Sequence, residues 1–81
     1  MMNPKVRAAA LDFIKSQEIM TFDFSHEAYS AECRLFDEHF KVMSKDELNE
    51  YNKFVTWLDN SRMWESDLTV DKLYEVFGTH N

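Results

Sequence analysis

Apolar residues recur every three or four positions along most of this chain, a spacing that predicts helices. Val6, Ala9, Ala10, Phe13 and Ile14 keep that period from a start at Asn3-Pro4. Asn is a good N-cap, and Pro at the first helical position gives up an N–H that would have no partner. The pattern fades near Glu18. Met20-Thr21-Phe22-Asp23-Phe24-Ser25 then alternates apolar and polar. A lone strand would find no ladder partner, so residues 20–25 read as an extended connector with Phe22 and Phe24 turned inward.

A second helix is predicted from about His26 to Met43, capped by Asp23 or Ser25. Tyr29, Cys33, Phe36, Phe40 and Met43 form a seam facing another helix. Ala28, Leu35 and Val42 add a second apolar row at spacing seven. A helix this broadly apolar is either central in the bundle or shared with another chain. The third helix has the clearest start. Ser44-Lys45-Asp46-Glu47 is a capping box, and its acids suit the positive end of the helix dipole. Leu48, Tyr51, Val55 and Leu58 make its inner stripe, Phe54 and Trp57 its flanks, and it ends around Asn60-Ser61. A short fourth helix follows, capped by Thr69 or Ser66, with Val70, Leu73, Tyr74 and Phe77 inward. Gly78 is the expected residue just past its end.

The expected fold is therefore all-α: a compact bundle of about four helices with short connections, in one domain spanning residues 1–81. Composition agrees. The 81 residues are 44% hydrophobic and 30% charged, with one Gly and one Pro, so the chain is globular and nearly free of turn punctuation. No run of about 18 apolar residues is present, so no membrane span is expected. The apolar stretch Ala8-Ala9-Ala10-Leu11 stops at Asp12, too early for a secretory signal. One Cys makes no internal disulfide. The expected location is cytoplasmic.

Candidate chemistry is thin. Cys33 has His26 seven residues before it, about 10 Å along a helix and out of hydrogen-bond reach. Cys33 is expected to be a buried small hydrophobe in the seam. His26, His39 and His80 lack ligand partners at helical spacing, and the Glu-x-x-His pattern of di-iron bundles is absent. His39 reads as a partly buried flank residue with a hydrogen-bond partner. A calcium loop starting at Asp59 would need Gly where Trp64 stands and Glu where Val70 stands. A single Gly cannot build a phosphate loop. Neither catalysis nor a metal or other cofactor is expected.

The net charge is −6, and it is uneven. Lys5, Arg7 and Lys15 against Asp12 give residues 1–17 a charge of +2, leaving −8 on the remainder. Direct nucleic-acid binding is not expected. A protein imitating nucleic-acid phosphates, and so blocking a DNA- or RNA-processing enzyme, is the alternative reading. Lys41, Lys45, Lys53, Arg62 and Lys72 interrupt the acidic rows such a mimic needs.

The most telling feature is seven Phe, three Tyr and two Trp in so short a chain. The predicted stripes use many of these rings but leave Phe22, Phe24, Phe54, Trp57 and Trp64, with Met63 and Arg62 beside them. Aromatic residues, Met and Arg are the types that anchor protein interfaces. Those seven residues are the expected partner-binding set, centred on the Arg62-Met63-Trp64 loop. The function expected is a non-catalytic helical protein that binds a protein partner, or itself as a homodimer, and inhibits or regulates it. In size and composition the chain is similar to the short acidic accessory proteins with which phages and mobile elements block host or phage machinery. That likeness carries over no residue.

Overall fold

The computed structural model describes residues 2–22 and 25–80, apart from the side chains of residues 21, 22 and 80. Four helices follow one another: α1 (Pro4–Phe22), α2 (His26–Lys41), α3 (Lys45–Ser61) and α4 (Val70–His80). A 3-10 turn, Met63–Glu65, links the last two, and there is no strand among the described residues.

α1 begins as its sequence dictates. The Asn3 side chain accepts from the Lys5 N–H at 2.9 Å, and the Asn3 carbonyl accepts from Arg7 N–H at 2.8 Å. It then runs four residues beyond Glu18, so Met20-Thr21-Phe22 is helical and not an extended connector. No Gly or Pro stands there to stop it, and the helix satisfies backbone groups that an isolated extended segment would leave open. Asp23 and Phe24 lie outside the described residues.

Ser25 caps α2 by accepting from Ala28 N–H at 3.1 Å. Ser44 and Glu47 complete the expected capping box of α3, at 3.2 Å and 2.8 Å. Thr69, not Ser66, caps α4, accepting from Lys72 N–H at 3.3 Å. α4 passes through Gly78 instead of ending before it. Gly78 has no positive φ and no neighbour within 4 Å of where a Cβ would sit, so it is an ordinary helical residue at an open position.

The core lies between α1, α3 and α4. Val6, Ala9 and Ala10 meet Tyr51, Phe54 and Leu58 of α3, with Val70 and Leu73 of α4, and Met2 and Met43 close the edges. The two alanines let α1 approach closely, and α1, not α2, is the central helix that touches all the others. Phe54, expected on a flank, is fully buried at the centre of the core.

α2 holds no buried residue. Phe36 and Phe40 reach Tyr51, at ring separations of 6.4 Å and 5.5 Å. Of the rest of the expected seam, Met43 is buried, beyond the end of α2, whereas Tyr29 is 57% exposed and Cys33 is exposed, not buried. The second row is exposed too, at Leu35 and Val42. Two polar contacts fasten α2 to α1: Asp12 with the His39 ring at 2.6 Å, and Ser16 hydroxyl to Glu32 at 3.0 Å. His39 is thus the partnered flank residue its position implied.

Candidate docking surface

At the α3–α4 junction four rings pack together. Phe54 stacks on Trp57 at 6.2 Å and lies 5.4 Å from Phe77; Tyr74 meets Phe54 edge-on at 5.5 Å. Trp57 and Phe77, 5.6 Å apart, are half-buried and form the floor of an open groove along α3. Asp46, Asn49, Glu50, Lys53 and Asn60 stand around that floor. These positions recur at three- and four-residue steps, so one face of α3 builds the groove's length.

One rim carboxylate, Glu50, is held by a hydrogen bond. The Tyr74 hydroxyl donates to Glu50 at 2.7 Å, and that bond holds the phenol's pKa above its usual value. At the start of α3 the backbone N–H of Ser44, with Lys5 beside it, holds the Glu47 carboxyl below the usual carboxylate range. Between α1 and α4, outside the groove lining, the Arg7 guanidinium forms two hydrogen bonds to Asp71, at 3.0 Å and 3.1 Å, and holds that carboxyl below the usual carboxylate range. Ligand-side chemistry in the groove is therefore amide, carboxylate and ammonium around two aromatic rings.

The expected partner-binding set divides. Trp57 sits in the groove. Phe54 supports it from behind and, being fully buried, offers no surface to a partner; its place at the crossing of α1, α3 and α4 is the reason. Arg62 takes the left-handed backbone, φ 57°, at the end of α3 and pairs with Glu65 at 2.8 Å. Met63 turns inward against the core, and Trp64 is half-buried; none of these three lines the groove. Phe22's side chain and Phe24 lie outside the described residues. Phe77 was missed because its spacing with Val70, Leu73 and Tyr74 reads as core. Its place one turn from the helix end, where the core thins, was the available signal.

Among the described residues no three of His, Cys, Asp and Glu come together as a metal site would require. His26 and Cys33 are both exposed on α2, and Cys33 has Tyr29 as its hydrogen-bonding neighbour. Tyr51, deep between α1, α2 and α3, has its pKa raised by burial, with Glu32 and Asp12 nearby adding to it. No described helix is long and apolar enough to cross a membrane.

Set against protein-family models, curated proteins and solved structures, the chain matches none.

Proposed function

We propose that this is a non-catalytic protein that docks on a partner protein through the Trp57–Phe77 groove and inhibits or regulates that partner by occupying its surface. One observation carries the reading: two rings backed by Phe54 and Tyr74, open in front, and surrounded by hydrogen-bonding side chains. Interface anchors have this form, with an aromatic centre and a polar rim that excludes water once the partner is seated. Non-catalytic action is supported by how the reactive groups are spent. His39 is committed to Asp12, and Cys33 stands beside a tyrosine hydroxyl, not a base. A lone exposed thiol suits the cytosol, where it stays reduced. Inhibition by occupancy is also the mode of the short acidic accessory proteins that the chain is similar to in size and composition.

Capture of host proteins on immobilised chain, compared with Trp57→Ala and Lys53→Glu, tests the proposal. The expected result is a protein retained by the natural chain and lost, or weakened by about 2 kcal/mol, with Trp57→Ala. Lys53 is exposed, so Lys53→Glu leaves the fold intact and alters only the rim. Retention that neither substitution changes overturns the groove assignment. Retention of DNA- or RNA-processing enzymes that collapses steeply with salt would instead favour the nucleic-acid mimic. The ion pairs Lys41–Glu38, Arg62–Glu65 and Lys72–Glu75, which interleave cations among the acids, speak against that alternative.

A further inference from the structure

Every buried residue of the core belongs to α1, α3 or α4, or is Met2 or Met43 at its edges; α2 supplies none. From residue 17 to residue 42 no described residue is buried, whereas Ser16 and Met43, which bound that stretch, both are. α2 is held by contacts of another kind. The Asp12–His39 bond, the Ser16–Glu32 bond and the Lys5 ammonium on the Val42 carbonyl, at 2.9 Å, tie it to α1. Half-buried Phe36 and Phe40 rest on Tyr51 of α3. Partly exposed polar bonds contribute little each, since water competes for the same groups. A free helix of 16 residues is marginal in water, so α2 stays helical because it is seated.

We infer that α2 is a releasable strap: it lifts off and unravels as one unit while α1, α3 and α4 keep their shared core. The opening stops at Met43, which is buried, and at the Ser44–Glu47 capping box, which belongs to α3. Inside the core Phe54, Leu58, Val6 and Leu73 keep all their buried neighbours when α2 leaves, because none of those neighbours is on α2. What the opening uncovers is specific. The Tyr51 ring, 4% exposed when α2 is seated, loses Phe36 and Phe40 from its face, and all three rings turn to water. The closed and open forms therefore differ by an aromatic surface that only the open form presents. The Trp57–Phe77 groove lies on α3 and α4 and keeps its lining in both forms, so the strap does not rest on the groove's having a partner.

Amide hydrogen exchange of the full chain in rising, sub-denaturing urea tests the inference. Without urea the α2 amides are expected to exchange about 100-fold or more faster than those of Tyr51–Leu58. They should share one urea slope, shallower than that of α3 but not zero, because lifting α2 exposes surface, though less than unfolding the whole chain does. Val70→Ala changes the core in a way that closed and open forms feel alike. It should speed α3 exchange about tenfold and leave α2 exchange unchanged. Asp12→Ala removes a contact made only in the closed form, and should speed all α2 amides alike, by about tenfold. A common slope for α2 and α3, or an equal response of both to Val70→Ala, overturns the inference, since α2 would then open only with the whole molecule. So does exchange through α2 that ignores urea, or an Asp12→Ala effect confined to the amides beside His39, since either is fraying and not release of a unit. Should Val70→Ala fail to fold, the urea slopes of the natural chain decide the matter alone.

Discussion

Phe54 joins three helices through one side chain, and its ring is shared between packing and the groove: it fills the core while stacking behind Trp57. Phe54→Ala is expected to cost about 3–5 kcal/mol in thermal or urea unfolding, the loss typical of a ring removed from a closed core. A loss under about 1 kcal/mol would place the ring at a surface instead. Trp57→Ala should cost less, because its ring is partly open to water. Gly78 is the opposite case. Its helical backbone and open surroundings mean that Gly78→Ala should raise stability by about 0.5 kcal/mol. A drop on calorimetry would show that the position needs glycine's freedom. Helical period alone could not rank Phe54 above Leu48 or Val55, since period defines a face and not its deepest point.

At the level of elements, caps were the most legible feature. Each is decided within three or four residues, so Asn3, Ser25, Ser44 and Thr69 act where their local sequence places them. Ser44→Ala is expected to cost about 1 kcal/mol, measured by urea unfolding, as the reciprocal bond with Glu47 is lost. Helix ends were less legible. α1 and α4 both continue past positions where pattern or Gly suggests a stop, and no Pro stands at either place to break the backbone ladder. α2 was the hardest to place. Its amphipathic pattern is strong, yet it holds no buried residue and leans on α1 through two polar bonds and on α3 through two rings. Amide hydrogen exchange should therefore be faster throughout α2 than in the Tyr51–Leu58 stretch of α3. Equal protection of both would mean that α2 belongs to the core.

The whole molecule is flat, 36 × 28 × 17 Å. Its accessible surface of 5670 Å² exceeds the roughly 5100 Å² of a compact monomer of this mass, as a helix laid on one side requires. Its pH response should be domed. Arg7 depresses the Asp71 carboxyl and the Ser44 N–H depresses that of Glu47, so their contribution is present above the unfolded carboxylate pKa of about 4 and is lost as pH falls through their folded values. Burial raises the Tyr51 phenol and Glu50 raises that of Tyr74. Their contribution is present below the unfolded phenol pKa of about 10 and is lost as pH rises toward their folded values. Urea midpoints across pH should fall at both ends. Asp71→Asn should flatten the acid limb and Tyr51→Phe the alkaline one; a midpoint that rises below about pH 4 contradicts the Asp71 and Glu47 assignments.

By itself the sequence determined the helices, their caps and the all-α class, because these follow from period and from contacts within four residues. It also showed more aromatic rings than one stripe per helix could use. Only the tertiary structure decided which rings those were. Phe54 went inside and Phe77 came to the groove floor, because burial depends on where three helices cross. The same crossing gave the centre of the fold to α1, whose small Ala9 and Ala10 permit close approach, and left α2, with bulkier rings and Leu35 and Val42 outward, at the edge.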